Sequence, residues 1–288
     1  MARWKFLYKT LRRYVYRQDI TCPHCGSSKT MRLNTKYLIL QLRQCVDCYL
    51  MFRYPKDDVH TNLEFYQEDY NEGITTNIPD DETLQHFTDS AFSSANKGFS
   101  DKIEIIKRFK QKGYVLDYGC SWGYGVWQFN HTGFDAVGFE ISEPRALFGI
   151  KKLGVKIINS QAELDSVSNN TFDIIFAHHI LEHLPHLYTV FKEFHRLLKD
   201  DGLIAIFVPN CTGCGDKEIF NQKKSFAIGE AHTMAMDKIF FETNFRRYGF
   251  DVKCFSHPYR IIDDFFSTEA GKVDTSSIEL AILARKQV

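Results

Sequence analysis

From Tyr114 to Gly125 the chain reads YVLDYGCSWGYG, and this stretch decides the fold. A short apolar run ends at Asp117, and three glycines follow within the next eight positions. Glycine lets a backbone turn tightly and approach a ligand closely, so a strand that runs through such a turn into a helix indicates a cofactor loop. The sequence therefore predicts a nucleotide-type ligand at this turn.

Strand and helix patterns alternate around this loop. Apolar runs predict strands at 114–117, 136–140, 155–158, 172–177, 203–208, 251–256 and 279–284. Helical spacing of apolar residues predicts helices at 101–111, 186–199 and 236–248, with Asp200-Asp201-Gly202 ending the second of them. This alternation predicts an α/β fold with a Rossmann-like, doubly wound, mostly parallel sheet.

The glycine loop lacks the features of phosphate-binding loops. The third position after Gly125 is Gln128 rather than glycine, and no lysine follows the glycines. Both absences disfavour a dinucleotide or a nucleoside triphosphate. Glu140 ends the second predicted strand, where an acidic side chain can accept hydrogen bonds from both hydroxyls of a ribose. A glycine loop and a ribose-binding acid, without the residues of a phosphate-binding loop, suit S-adenosylmethionine.

Two cysteine pairs near the start predict a metal site. The pairs Cys22/Cys25 and Cys45/Cys48 have the spacing of two tight knuckles, with strand-like residues 37–42 between them. Four thiolates fill the tetrahedral coordination of Zn²⁺, so this zinc ion would be structural rather than catalytic. His24 is expected to be a bystander. A third pair, Cys211 and Cys214, has no partner pair and is interpreted as packing.

Composition narrows the function classes. The 36 basic and 36 acidic residues balance, which opposes a nucleic-acid partner, since phosphate binding favours a basic surplus. No apolar run is long enough to span a bilayer and no signal peptide is evident, so we expect a cytoplasmic protein whose cysteines serve metal binding. Residues 3–18 predict a basic amphipathic helix, which either contacts an anionic membrane surface or docks on this protein or a second subunit. The oligomeric state stays open. The predicted domains are 1–19 (basic helix), 20–56 (zinc ribbon), 57–99 (helical linker) and 100–288 (cofactor domain).

The motifs of residues 100–286 occur in the order seen in the class I S-adenosylmethionine-dependent methyltransferases, and the chain resembles that family. The stretch Val115–Gly123 looks like the first cofactor motif, which usually has glycine where Ser121 stands, and the fold implied is the seven-stranded methyltransferase type. By this resemblance, Gln161 stands where the family has an acid near adenine. The resemblance implies cofactor contacts at Asp117, Gly119, Cys120, Ser121, Gly123, Glu140, Ile141, Gln161, Ala162 and His178.

Two further resemblances suggest the acceptor. The segment His178-His179-Ile-Leu-Glu182-His183 is similar to the "H-x-L-E-H" segment of the small-molecule branch, and the tetrapeptide of amine methyltransferases is missing. The cysteine module followed by Phe65-Tyr66-Gln-Glu-Asp-Tyr70 looks like zinc-ribbon methyltransferases that modify sugars and surface polysaccharides. These likenesses imply methylation of a sugar or nucleotide sugar, with O-methylation preferred over C-methylation. Tyr66 and Tyr70 are candidate pocket residues.

A hydroxyl acceptor needs a group that takes its proton, and histidine suits that work near neutral pH. The candidate catalytic residues are His232, His179, Glu182, His183 and Glu230, with His232 preferred as general base and His179 second. Two other interpretations stay open. One is an RNA base methyltransferase, and the other is a non-catalytic cofactor-binding scaffold.

Overall fold

The structure is a computed structural model, and it describes residues 3–15, 19–56, 77–93, 97–229, 232–257, 259 and 277–287. The chain divides into two units. Unit 1 comprises Met1–Asn62, His179–Glu193 and Phe207–Ile282, and unit 2 comprises Leu63–His178, Phe194–Ile206 and Leu283–Val288. The boundaries of the four domains drawn from the sequence stay a prediction.

Helices and strands alternate along the chain from Tyr114 to Ser256. The helices are α1 (Arg3–Val15), α2 (Asp81–Asp89), α3 (Ser100–Phe109), α4 (Tyr124–Asn130), α5 (Glu143–Phe148), α6 (Gln161–Ser166), α7 (Leu187–Leu197), α8 (Lys217–Ala227) and α9 (Lys238–Phe245). The strands are β1 (Thr30–Lys36), β2 (Leu40–Cys45), β3 (Met51–Tyr54), β4 (Tyr114–Tyr118), β5 (Asp135–Phe139), β6 (Lys156–Ile158), β7 (Phe172–His178), β8 (Leu198–Pro209), β9 (Met234–Ala235), β10 (Phe250–Ser256) and β11 (Glu279–Lys286).

A seven-stranded sheet has the order β10-β11-β8-β7-β4-β5-β6. The strands β7, β4, β5 and β6 pair in parallel, with β4 between β7 and β5. Central strands are apolar along their length because helices cover both faces of such a sheet, as Val115, Leu116, Ile174 and Ile175 illustrate by being fully buried. The predicted Rossmann-like α/β fold is confirmed.

A second sheet has four strands in the order β1-β2-β3-β9. The predicted strand at 37–42 is confirmed only from Leu40, where β2 begins, because Tyr37 and Leu38 adopt left-handed backbone angles and form the turn between β1 and β2. Strand β9 has only two residues, too few to leave a pattern in the sequence, and it pairs with β3 through Met51–Ala235 and Phe52–Met234. The segment after His232 therefore shares a sheet with the cysteine module.

The end of the predicted helix at 186–199 also differs. Helix α7 ends at Leu197, and Asp200-Asp201-Gly202 lies inside β8 rather than at the end of the helix. Tertiary ion pairs explain the difference: Lys286 Nζ lies 3.0 Å from an Asp200 oxygen, and Lys110 Nζ lies 2.5 Å from an Asp201 oxygen. Helix α8, which the sequence analysis missed, begins after Asp216, whose side chain accepts hydrogen bonds from the backbone N–H groups of Glu218 and Ile219.

The N-terminal helix keeps its predicted character. In α1 the side chains of Tyr8, Leu11 and Val15 are exposed, and its contact with a membrane or another protein stays a prediction. Within the described residues, no helix combines the length and apolarity needed to cross a bilayer. In the predicted linker, helix α2 begins after Asp80, which caps it by accepting from the Thr83 N–H at 2.8 Å. Tyr66 and Tyr70 lie outside the described residues.

Candidate active site

The loop after β4 folds back on the end of β5. Its backbone alternates through left-handed angles at Gly119 (φ 82°), Ser121 (φ 53°) and Gly123 (φ 79°). The N–H groups of Gly119 and Cys120 both donate to the carbonyl of Phe139, at 2.8 and 3.1 Å. Left-handed angles strain residues with a Cβ, so the position of Ser121 is one that glycine would occupy more easily.

Glu140 is held rigidly beside this loop. Its Oε2 accepts from the Ser121 N–H at 3.0 Å and its Oε1 accepts from the Ser142 N–H at 2.7 Å. The Ile141 backbone N–H also contributes to holding this carboxylate. A carboxylate has about four lone-pair sites, so acceptor capacity remains for a ligand hydroxyl. Burial raises the pKa of Glu140, and these hydrogen bonds and the charge of Arg145 work against that rise. Arg145 is buried and donates to the Ser121 hydroxyl at 2.8 Å.

Asp117 is buried at the end of β4, where Glu140 is a neighbouring acid. Burial, followed by the charge of Glu140, raises the pKa of Asp117 to about 8. A Cβ at Gly125 would overlap the Asp117 carboxylate, so glycine at 125 is what gives this carboxylate its room. Two neighbouring buried acids with raised pKa values make a site that favours a cationic ligand, because a positive charge stabilises their ionised forms.

The remaining predicted cofactor residues all lie in unit 2. The Cys120 side chain packs against Gly138 of β5, so only its backbone belongs to the loop. Ile141 follows Glu140 directly, and Ala162 lies in the first turn of α6. The Gln161 amide donates to Asp165 at 2.9 Å. The ring of His178 packs 4.8 Å from that of Phe99.

A second polar cluster, in unit 1, surrounds His179, which itself has a left-handed backbone (φ 50°). Its ring bridges two carboxylates: Nδ1 lies 3.2 Å from Glu182 Oε1, and Nε2 lies 2.9 Å from Glu279 Oε1. The Tyr259 hydroxyl donates to the other oxygen of Glu279. A strained backbone that is held in place by polar contacts is common at functional sites.

The pKa of His179 argues against its assignment as a general base. Burial lowers this pKa, but the hydrogen bonds and charges of Glu182 and Glu279 outweigh it and raise the pKa to about 9. The imidazole therefore keeps its proton near neutral pH, and the role of His179 as a general base stays a prediction. Sequence reasoning missed Glu279, which lies 100 residues further along the chain and has no motif around it.

Glu182 is the centre of this cluster. Its side chain is 2% exposed, and His183 Nε2 lies 3.9 Å from its Oε1. Burial raises the pKa of Glu182, but the contact with the His179 ring and the charges of the nearby histidines lower it to about 2. The ring of His232 packs 4.8 Å from that of His183. The structure thus brings four of the five predicted catalytic residues together, while Glu230 lies outside the described residues.

The four cysteines of the N-terminal module converge. Cys22 Sγ lies 3.5 Å from Cys48 Sγ, and Cys25 Sγ lies 3.5 Å from Cys45 Sγ. The four sulfur atoms all lie within 4.8 Å of one another, and none of the four cysteines forms a disulfide. A tetrahedral zinc ion with Zn–S bonds of about 2.3 Å holds its sulfurs about 3.8 Å apart. The donor set and its spacing therefore fit Zn²⁺.

Both knuckles have the same hydrogen bonds. The Gly26 N–H donates to the Cys22 carbonyl at 3.0 Å, and the Tyr49 N–H donates to the Cys45 carbonyl at 3.1 Å. The second knuckle is tied to α9 by Asn244, a buried residue whose amide donates to the Cys48 carbonyl at 2.8 Å. His24 is buried among aromatic rings, including that of Phe240 at 5.2 Å, and burial lowers its pKa to about 4.

Comparisons with known proteins agree with this fold. The family described as "Methyltransferase domain" matches residues 91–254. An uncharacterised protein of Methanocaldococcus jannaschii is 28% identical over 44% of this chain and 56% of its own length. A sterol 4-C-methyltransferase of Caenorhabditis elegans is 25% identical over 41% of this chain and 36% of its own. The chain thus spans about half, or less, of these curated relatives. Among solved structures, an S-adenosylmethionine-dependent methyltransferase of Archaeoglobus fulgidus has a TM-score of 0.50 at 20% identity, covering 72% of this chain and all of its own.

Proposed function

Because the chain belongs to the methyltransferase domain family, we propose that it transfers a methyl group from S-adenosylmethionine to a hydroxyl of a sugar or nucleotide sugar. The observation that carries the cofactor part is the geometry at Glu140. Its carboxylate is fixed by backbone N–H groups, those of Ser121 and Ser142 among them, and keeps acceptor capacity for a ribose hydroxyl. The proposed setting is the synthesis of surface polysaccharide.

The residues present fit the cofactor. S-Adenosylmethionine carries a sulfonium and an ammonium charge and no phosphate, and the loop has no lysine or arginine placed for phosphate within its glycines. The raised pKa of Asp117 marks a buried acid that a cation would stabilise in its ionised form. When bound, the cofactor supplies an activated methyl group. Asp117 and Glu140 orient it, and the glycine loop lets the backbone approach it.

The acceptor part of the proposal rests on the cluster around Glu182. An alcohol must lose its proton as its oxygen attacks the methyl carbon, so a site for hydroxyl acceptors needs a group that lowers the hydroxyl pKa or takes the proton. Glu182, His183 and His232 form a compact set of such groups in unit 1. A neutral amine attacks through its lone pair and loses its proton only afterwards, so the cluster favours oxygen over a neutral nitrogen.

The cysteine cluster is proposed to bind structural Zn²⁺. Four thiolates leave no open coordination position, so the ion would hold the knuckles together rather than take part in methyl transfer. Strand β3 and Asn244 connect these knuckles to the rest of unit 1. Zinc would accordingly stabilise that unit as a whole.

The test is a turnover assay with purified zinc-loaded protein, S-adenosylmethionine and a panel of nucleotide sugars, with release of S-adenosylhomocysteine as the readout. We expect Glu140→Gln to weaken cofactor binding by about tenfold or more, since it loses a charged acceptor of hydrogen bonds. Glu143→Gln changes an exposed acid three residues further on and is the matched control, expected to bind as wild type does.

Three outcomes separate the alternatives. Turnover on tRNA or rRNA but on no sugar would replace the sugar proposal by an RNA base methyltransferase. Tight cofactor binding without turnover on any acceptor would support a scaffold. Absence of cofactor binding by the wild-type protein would sink the methyltransferase proposal itself.

A further inference from the structure

Glu182 is a buried anion in an unusual position. It lies in the single turn Leu181–His183, and neither of its carboxylate oxygens has a hydrogen bond of ordinary geometry among the described residues. His179 Nδ1, 3.2 Å away, supplies charge compensation on one side only. Burying a carboxylate without well-directed hydrogen bonds is unfavourable, so among the described residues Glu182 is short of a partner on its other side.

Two imidazoles stand at the side where that partner is lacking. His183 Nε2 lies 3.9 Å from Glu182 Oε1, and one ligating atom each from Glu182, His183 and His232 lies within 4.8 Å of the other two. The backbone fixes this arrangement. The N–H of Thr233, next to His232, donates to the Glu182 carbonyl at 3.0 Å, and its hydroxyl lies 3.4 Å from the same oxygen.

We propose that Glu182, His183 and His232 bind a divalent first-row transition-metal ion. Two imidazoles and one carboxylate are a ligand set for such ions, and three protein ligands leave open positions for an acceptor. Bonds of about 2.0–2.2 Å would draw the three ligating atoms closer together by roughly 1 Å. His179 then donates to the ligating carboxylate and is held in turn by Glu279, as outer partners of metal ligands commonly are.

The metal gives the proposed methyl transfer a route for the proton. Held by Glu182, His183 and His232, the ion would lower the pKa of an acceptor hydroxyl, whose proton would leave to bulk water. The acceptor oxygen would then bond to the methyl carbon as the carbon–sulfur bond breaks and its electron pair stays on sulfur. The products are a methyl ether and S-adenosylhomocysteine. This step rests on the proposed function, whereas metal binding does not, and it makes His232 a ligand rather than the general base.

Mn²⁺ is the probe that tests the site. The four-cysteine cluster is first filled with one equivalent of Zn²⁺ per chain, because thiolates favour Zn²⁺ over Mn²⁺. Zinc-loaded wild-type protein is titrated with Mn²⁺, and the free ion is measured by electron paramagnetic resonance. We expect one Mn²⁺ per chain, with affinity reduced about tenfold or more in His232→Gln and in His183→Gln. His186→Gln, an exposed histidine in the same stretch, is the control and is expected to bind as wild type does.

The proposal is overturned if zinc-loaded wild-type protein takes up no Mn²⁺, or if His186→Gln loses as much affinity as His232→Gln. Turnover measured in parallel keeps the two proposals apart. Full turnover on a sugar by protein that binds no second metal would support the proposed function and would make His232 the general base again. Stoichiometric Mn²⁺ uptake with no methyl transfer to any acceptor leaves the metal site standing and sinks the acceptor assignment.

Discussion

Tyr49 occupies in the second cysteine knuckle the place that Gly26 occupies in the first, and both residues have left-handed backbones, with φ of 63° and 74°. Each donates its N–H to the carbonyl of the cysteine four residues earlier. The two knuckles are therefore equivalent in backbone, but only one of them has the residue that this conformation favours.

Substitutions of these two residues should differ in their effect on stability. A Cβ at Gly26 meets no atom within 4 Å, so Gly26→Ala adds backbone strain without a clash and should lower the free energy of unfolding by about 1–2 kcal/mol. Tyr49→Gly relieves the same strain and should leave stability equal or raised by about 0.5 kcal/mol. Urea unfolding of zinc-loaded protein measures both. A loss on Tyr49→Gly as large as that on Gly26→Ala would contradict the equivalence.

Cofactor binding should depend on pH through Asp117. Its pKa of about 8 means that the free protein holds a proton there at neutral pH, while a cationic ligand favours the ionised form. Affinity for S-adenosylmethionine should therefore rise between pH 6 and 8, by at most about tenfold per pH unit, relative to Asp117→Asn. Calorimetry in buffers of different ionisation heat would detect the released proton. An affinity ratio of the two proteins that does not change with pH would refute this linkage.

The same carboxyl group should reduce the stability of the ligand-free protein as pH rises. The pKa of Asp117 is higher in the folded protein than its value of about 4 in the unfolded chain. The contribution of Asp117 to stability is therefore complete below about pH 4 and is lost as the pH rises to about 8, by about 1.4 kcal/mol per pH unit. Asp117→Asn should remove this loss, making the variant more stable than wild type at pH 8. Urea midpoints at three pH values test this. Asp135→Asn, an exposed change at the start of β5, should follow wild type throughout.

Glu279→Gln should shift the titration of His179. With one of its two carboxylate partners neutralised, the His179 pKa should fall from about 9 toward its ordinary value of about 6.5. The stabilisation from this pair is present below pH 6.5 and lost as pH rises through about 9, so the variant and wild type should converge in stability above that pH. Histidine NMR titrations report the pKa directly. Glu218→Gln, an exposed change in α8, is the control, and an unmoved His179 signal would contradict the bridge.

The sequence was sufficient to predict the structure where a local pattern of residues determines it. The strand–glycine–helix stretch at 114–125 and the two cysteine pairs each bring their residues together through short-range geometry, and the structure has both. It was insufficient where distant residues meet. Glu279 contacts His179, which lies 100 residues earlier in the chain. Asp200 belongs to a stretch that predicted the end of a helix, but it lies in a strand and pairs with Lys286. Such contacts depend on tertiary packing, which overrides local propensity.

If the four cysteines bind zinc as proposed, removal of the ion should loosen unit 1 at a distance from the cysteines. Strand β3 follows the second knuckle and pairs with β9, so loss of the ion should reduce amide protection both in Met51–Tyr54 and in Met234–Ala235. Hydrogen exchange before and after chelation measures this. Cys254→Ser, a thiol of β10 outside the cluster, serves as control for thiol chemistry, and protection of β9 that survives chelation would contradict the coupling.

The four-stranded sheet also limits how this chain can be divided. Leu40, Leu42 and Met51 of the cysteine module share one buried apolar cluster with Cys211, Cys214 and Phe220, far along the sequence. A truncated protein that begins at residue 100 would present that apolar surface to water and tend to aggregate. The cysteine module is thus not an independent unit, because removing it would take away three of the nine buried residues of a shared core.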